Sequence, residues 1–393
     1  MKPRFSARMA HVPKSFIREI LKDALMPDTI SFAGGLPNRK LFPTEEIKIA
    51  TQKVFEIYGN DLFQYSASEG LIALREWISQ HYKEKGLDIK LENILITSGS
   101  QQGLDLLGKI LINTNDGLIL EEPGYLGAIQ AFALYRPRFL PVPVSENGMD
   151  TEKLRALLQS TKPKLMYTVP NFQNPSGITY PENNREAIAK ILKGTETLLI
   201  EDDPYGDLKF NHKTHSSFAR LLPDNTILLG SFSKIVVPSF RIGWIVAPDA
   251  IMKKLVIAKQ ASDLHTNQLA QCIIHQYLRD NDLQAHIAKI VSAYSTQKEV
   301  MRNSILRHFP KEISCTNPEG GMFLWMTLPK KTSALDLFEL ALKDKVIFVP
   351  GDPFYINQSH LNTLRLNYSC ANIANIETGM LRLAHAVKNL LKQ

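Results

Sequence analysis

The chain has 393 residues, 44% of them apolar and 22% charged, and a net charge of +7 from 46 basic and 39 acidic residues. That length exceeds one ordinary hydrophobic core and predicts two domains, and the composition is that of a globular enzyme. The basic residues are spread along the chain, with no Lys/Arg run and no RNP, zinc-finger or basic-zipper pattern. Nucleic acid is therefore not expected as a partner, and the excess charge is assigned to anionic substrates and cofactors.

Cys272, Cys315 and Cys370 are far apart and form no Cys-x-x-Cys pair, so neither a disulfide framework nor a metal site is expected. No apolar stretch reaches the length of a membrane span, and the start, Met1-Lys2-Pro3-Arg4-Phe5, lacks a signal-peptide core. The expectation is a cytoplasmic enzyme with no membrane partner.

The first periodic segment, Ser15-Phe16-Ile17-Arg18-Glu19-Ile20-Leu21, reads as an amphipathic helix with Arg18 on its polar face. From residue 93 onward, short apolar runs alternate with helical periods. Strands are predicted at 93–97, 117–120, 164–169, 197–200, 226–229 and 242–246, with helices such as 101–111 and 125–135 among them. Continuously apolar strands are those covered on both faces, so an α/β sheet, mostly parallel, is expected. In such sheets ligands collect at the carboxyl ends of the strands, and those ends carry the informative residues.

After 93–97 comes Ser98-Gly99-Ser100-Gln101-Gln102-Gly103, which opens an apolar helix. A helix N-terminus offers free N–H groups and a favourable dipole to a phosphate, although the same residues serve as a plain serine cap. After 117–120 comes Glu122-Pro123-Gly124-Tyr125, whose tyrosine suits either a core or the face of a planar ring. After 164–169 comes Pro170-Asn171-Phe172-Gln173-Asn174-Pro175-Ser176-Gly177, a turn-rich loop in which an Asn can donate to a phenolic oxygen.

After 197–200 comes Glu201-Asp202-Asp203-Pro204-Tyr205. A carboxylate buried there needs a cation, and a protonated pyridine nitrogen is one. Tyr205 lies within reach of a ring hydroxyl. After 226–229 comes Gly230-Ser231-Phe232-Ser233-Lys234, with Arg241 behind it. Hydroxyls and an arginine suit a phosphate, and a lysine in apolar surroundings suits a Schiff base, because desolvation frees its amine as a nucleophile. The two needs meet in pyridoxal 5′-phosphate (PLP).

The last third reads as a smaller α+β domain. It has a long helix over 283–308, strands at 322–327, 346–349 and 363–367, a helix over 334–341 and a final helix over 371–391. Alternation in 363–367 sets Thr363, Arg365 and Asn367 on one face, which is wet by default but would clamp a carboxylate if it lined a cleft.

Seven segments in this order resemble the fold-type-I PLP aminotransferases of class I/II, most of all the 2-aminoadipate aminotransferase and kynurenine aminotransferase II branch. They are Ser31-Phe32-Ala33-Gly34-Gly35-Leu36-Pro37, Gln64-Tyr65-Ser66, Gly99-Ser100-Gln101-Gln102, Asn174-Pro175-Ser176-Gly177, Glu201-Asp202-Asp203-Pro204-Tyr205, Ser231-Phe232-Ser233-Lys234 and Pro318-Glu319-Gly320-Gly321-Met322-Phe323. The resemblance implies a large domain over 49–282, with a mostly parallel mixed sheet flanked by helices. It implies a smaller α+β domain formed by 1–48 and 283–393.

It also implies residue roles. Lys234 would hold PLP as a Schiff base and act as general base and acid. Asp202 would pair with the pyridinium nitrogen, Asn174 and Tyr205 would bond the ring oxygen, and Tyr125 would stack on the ring. Ser100, Gln101, Ser231, Ser233 and Arg241 would surround the phosphate, with Tyr65 reaching the phosphate of the neighbouring subunit in a homodimer with a shared active site. Arg365 would bind the substrate α-carboxylate, Asn174 and the Gly34-Gly35 turn would border the substrate, and Arg18 would reach a distal carboxylate. The implied reaction moves an amino group from an L-amino acid, either 2-aminoadipate-like or of a broad aromatic and aliphatic range, to 2-oxoglutarate by a ping-pong mechanism. A PLP-dependent lyase, or a PLP-sensing regulator domain, stands as the alternative.

Overall fold

The computed structural model describes residues 4–11, 20, 27–357 and 361–392. Its centre is an eight-stranded sheet. The short β1 (Ile30–Ser31) lies outside it, and β2 (Ile94–Thr97), β3 (Gly117–Glu122), β4 (Arg138–Ser145), β5 (Gly148–Met149), β6 (Leu165–Thr168), β7 (Leu198–Asp202), β8 (Thr226–Ser231) and β9 (Gly243–Val246) form it. The spatial order is β2-β9-β8-β7-β6-β3-β4-β5. The pairs β3/β4, β3/β6, β6/β7 and β7/β8 are parallel, whereas β9 runs against both β8 and β2. The six strands β2, β3, β4, β6, β7 and β8 thus point the same way and end on one edge.

The inner strands are apolar on both faces because helices cover both. Ile94, Ile96, Leu120, Ile200 and Ile227 are fully buried in the main core, and Ile119, Met166 and Leu199 in a second cluster across the sheet. Burying a side chain of this size contributes about 1.5–3 kcal/mol, so the sheet is a rigid platform for the loops at its edge. Every strand expected from the sequence is present. β4 is a strand that the sequence does not announce, since Pro141 and Pro143 interrupt its apolar run. Prolines are tolerated near the end of a sheet, where β4 has β3 on one side and only the two-residue β5 on the other.

The chain after helix Leu283–His308 forms an antiparallel sheet of β10 (Ser314–Cys315), β11 (Phe323–Thr327), β13 (Val349–Pro350) and β14 (Thr363–Asn367), in the order β10-β11-β14-β13. The expected strand at 346–349 is split at Phe348. Its first half, β12 (Val346–Ile347), pairs parallel with β1, and its second half, β13, pairs with β14. The N-terminal segment is stitched to this unit: Phe32 N–H donates to Ile347 O at 2.8 Å, and Asn367 N–H donates to Phe32 O at 2.8 Å. Residues more than 300 positions apart therefore form one wall. The face of β14 expected to be wet is dry, with Thr363, Arg365 and Asn367 each below 5% exposure, because that wall covers it. Among the described residues no helix is long and apolar enough to cross a membrane.

Candidate active site

The loops leaving the carboxyl ends of β2, β3, β6, β7 and β8 converge, as the parallel topology requires. β8 ends at Ser231. Ser231 Oγ donates to Ser233 Oγ at 2.9 Å and accepts from Ser233 N–H at 3.1 Å, which folds the next residues into a tight turn. Lys234 follows, half-buried, with Nζ donating to Gly35 O at 2.9 Å. Burial brings its ammonium down to about 8; Cys370 opposes the shift, and Arg241 and Arg365 add to it. A lysine desolvated beside two cations gives up its proton more readily than a surface lysine, which suits Nζ to act as a nucleophile.

β7 ends at Asp202, which is 2% exposed. Its Oδ2 accepts from the Tyr167 hydroxyl at 2.7 Å, whereas Oδ1 is buried without a partner. Burial raises this carboxyl to about 7, helped by Asp203 and Glu121 and opposed by the Tyr167 bond. An orphaned buried acceptor costs about 1–3 kcal/mol, and a protonated ring nitrogen would satisfy it. Tyr205, three residues on, receives a long bond from Asn174 Nδ2 at 3.4 Å, and burial pushes its phenol well above the ordinary range.

Asn174 Oδ1 accepts in turn from Arg365 Nη1 at 2.7 Å, and Arg365 Nη2 donates to Ala33 O at 2.7 Å. The guanidinium lies 4.4 Å from the centre of the Phe323 ring and 5.3 Å from that of Phe354, and its Nε has no acceptor. Among the described residues no carboxylate pairs with it, and burial lowers its pKa to about 10. A buried cation solvated only by carbonyl oxygens and ring faces is a receptor for a carboxylate. Beside it, Gly34 is buried and Gly35 supplies the carbonyl that holds Lys234.

Tyr125 caps helix Leu126–Ala133 with its ring against Gly127, where a Cβ would overlap it. Burial pushes its hydroxyl up to about 12; Asp202 adds to this, and Arg365 and Arg241 oppose it. Gln101 Nε2 donates to Gly127 O at 3.0 Å, joining the β2 and β3 loops. Ser100 and Gln101 open helix Ser100–Leu111 behind Gly99, whose φ of 77° disfavours any other residue. A Cβ on Gly99 would also collide with the Arg241 guanidinium, and Arg241 reaches Ser233 Oγ at 3.5 Å. Two hydroxyls, an arginine and a helix N-terminus thus face one spot, which suits a phosphate.

Tyr65 is not part of this cluster. It is 77% exposed, with its ring edge-on to His265 at 5.9 Å. Arg18 lies outside the described residues.

Two further side chains at the site are not announced by the sequence. Tyr167, which bonds Asp202, sits in an apolar run where a tyrosine reads as core. Glu121 Oε1 accepts from Thr168 Oγ1 at 2.6 Å, Val169 N–H at 2.9 Å and the Tyr180 hydroxyl at 2.7 Å. Its Oε2 accepts from Gln173 Nε2 at 2.6 Å, and the same amide donates to Pro123 O at 3.0 Å. One buried carboxylate thus ties the base of the Tyr125 loop to the base of the Asn174 loop. The available signal was an acid inside a strand, since a buried carboxylate must be hydrogen-bonded.

The sequence pattern described as aminotransferase class I and II matches residues 32–383. The chain belongs to the class I and II aminotransferases. It is 39% identical to a 2-aminoadipate transaminase of Thermus thermophilus, over 98% of this chain and 97% of that one. It is 37% identical to aromatic-amino-acid aminotransferase 1 of Thermococcus litoralis, over 99% and 95%. Among solved structures, the α-aminoadipate aminotransferase of Thermus thermophilus, complexed with N-(5′-phosphopyridoxyl)-L-leucine, superposes with a TM-score of 0.92 at 38% identity, covering 99% of this chain and 98% of that one. The kynurenine aminotransferase of Pyrococcus horikoshii superposes with a TM-score of 0.94 at 38% identity, with the same coverage. This aminotransferase has the fold-type-I architecture and is a PLP enzyme. The free Oδ1 of Asp202, the near-neutral amine of Lys234 and the Ser231, Ser233 and Arg241 cluster fit the three ends of that cofactor.

Proposed function

We propose that this aminotransferase takes the amino group of an L-amino acid with an acidic or long side chain and passes it to 2-oxoglutarate in a ping-pong cycle. The observation that carries the reading is Arg365. It is a buried guanidinium without an acidic partner among the described residues, hydrogen-bonded to Asn174, and it shapes a seat for the carboxylate that donor and acceptor share. Both substrates can then use one site in turn. The acidic preference rests on Arg18 in the first segment and on relatives named for 2-aminoadipate.

Bound PLP supplies an electron sink for the charge left when the α-proton departs. The residues do the rest. Lys234 would bind the cofactor and move the α-proton at its Nζ. Asp202 would hold a proton on the ring nitrogen, Asn174 and Tyr205 would hold the ring oxygen, and Tyr125 would stack on the ring. Ser100, Gln101, Ser231, Ser233 and Arg241 would bind the phosphate. Gly34 and Gly35 border the substrate.

Tyr65 acts in the partner subunit of a homodimer. Its exposure supports this, together with the exposed Ile49, Phe55, Ile57 and Phe63 nearby in the chain. We assign residues 49–282 to the large domain, and 1–48 with 283–393 to the small one. The first boundary falls inside helix Thr44–Tyr58.

A panel of amino donors with 2-oxoglutarate, read as kcat/KM, tests the reading. Glutamate should form, most efficiently with 2-aminoadipate and other long or acidic donors. Arg18→Ala should weaken acidic donors more than leucine or phenylalanine. Pyruvate and ammonia released without glutamate would make the enzyme a lyase, and equal losses across donors would remove Arg18 from specificity.

A further inference from the structure

Helix Asp249–Asp263 carries a lysine with no exposed surface at all, Lys259, and no role given so far uses it. Its Nζ lies 2.8 Å from Gln102 Oε1, 2.8 Å from Asp263 and 2.8 Å from Thr266 Oγ1, which engages all three N–H bonds. Each partner leads to the same piece of backbone. Gln102 Oε1 also accepts from Ser98 N–H at 2.8 Å, and Gln102 Nε2 donates to Asp263 at 2.7 Å. Ser98 Oγ donates to the same carboxylate at 3.3 Å, and Thr266 Oγ1 donates to Ile96 O at 3.2 Å.

The backbone in question is the turn between β2 and helix Ser100–Leu111. One side of it is gripped by the Lys259 cluster. The other side is where Gly99 lies against the Arg241 guanidinium. Ser98 N–H is spoken for by Gln102, whereas Ser100 and Gln101, in the first turn of the helix, have N–H groups with no intrahelical acceptor. These are the groups that face an anion. A buried ammonium is costly to desolvate, and a methionine would fill the same space without that cost, so the charge is best accounted for by the geometry it enforces.

We propose that Lys259 is a positioning residue for the phosphate end of the site. Through Gln102, Asp263 and Thr266 it holds the turn from Ile96 to Ser100 in the shape that presents the Ser100 and Gln101 N–H groups to the phosphate. The inference rests on the placement of the phosphate at Ser100, Gln101 and Arg241 proposed above.

The test uses the full-length protein stripped of cofactor, titrated with PLP and with pyridoxal, which has the same aldehyde and ring but no phosphate. Binding is read from the visible band formed at Lys234. Lys259→Met should weaken PLP about tenfold, the loss expected for one charge-assisted contact, and leave pyridoxal unchanged. Inorganic phosphate should compete less well with PLP in the variant, and Lys259→Arg should recover most of the affinity. Asp263 keeps 32% of its side chain in water, so Lys259→Met leaves no buried charge behind. Gln102→Leu reaches the turn by a second route and should give the same selective loss. Unchanged PLP affinity overturns the proposal. So does an equal loss for PLP and pyridoxal, which would mark Lys259 as merely structural. If the unsubstituted protein binds PLP no better than pyridoxal, the phosphate placement itself fails, and this shows before any substitution is made.

Discussion

The two ends of the site are built differently. The cofactor end is local: Ser100, Tyr125, Asn174, Asp202 and Lys234 each sit within a few residues of the end of their own strand, on one sheet edge. The substrate end is assembled from afar. Gly34 and Gly35 come from the N-terminal segment and Arg365 from β14, and the two are brought together by the pairing of β1 with β12, the Phe32–Asn367 backbone bond and the bond from Arg365 to Ala33 O. On the reading proposed above, the chemistry is fixed to the edge of the buried central sheet, while recognition is hung on a wall that joins the N-terminal segment to the second sheet. Substitutions at the first end should change what the enzyme can do at all, and substitutions at the second should change how tightly it holds its substrates.

The largest effect should come from the cofactor end. Lys234→Ala removes both the attachment point and the proton carrier, and kcat should fall by at least about a thousandfold, with the visible band lost. Turnover near the original rate would remove Lys234 from the mechanism. Next is Arg365→Lys, which keeps the charge but loses the fork. Here kcat/KM should fall about a hundredfold, for amino acids and 2-oxo acids alike, through KM more than kcat. A change confined to kcat would mean that the two ends are not separable.

Tyr167→Phe removes one hydrogen bond to Asp202 and should cost about tenfold in kcat. The sign of its pH effect is fixed. The Tyr167 bond holds the Asp202 pKa down against burial, so its loss raises that pKa further above about 7. PLP affinity in the variant should then decline at a higher pH than in the unsubstituted enzyme as the medium is acidified. An unshifted pH profile would detach Tyr167 from Asp202. The mildest test needs no mutation. Lys234 attacks only as the free amine, so the rate of PLP capture should rise with pH and be half-maximal at about 8, which stopped-flow absorbance can follow. A rate flat from pH 7 to 9 would show that Nζ is neutral throughout.

The same contrast explains what the sequence could and could not disclose. The cofactor end was legible because each residue follows an apolar run that announces its strand, and seven segments recur in family order. What escaped notice were residues whose job is set by burial. Tyr167 looks like any strand tyrosine, and Lys259 sits among other lysines on a helix where solvent is the ordinary expectation. Arg365 was placed on the correct face of its strand, but alternation cannot say whether a polar face is wet. Asn174, Ala33, Phe323 and Phe354, brought from four separate parts of the chain, are what enclose the guanidinium. The split of 346–349 between two sheets was hidden for a similar reason, since pairing partners are not written into a run of four apolar residues.

One further consequence follows from where the two arginines stand. Arg241 is exposed beside the turn proposed to hold the phosphate, whereas Arg365 is 2% exposed and faces aromatic rings. Dissolved ions screen a charge at the surface over about 8 Å at physiological strength, but hardly reach one walled off by protein. Raising the salt concentration should therefore loosen the hold on the cofactor while leaving carboxylate recognition almost untouched. In brine the enzyme would lose its prosthetic group before it lost its grip on substrate.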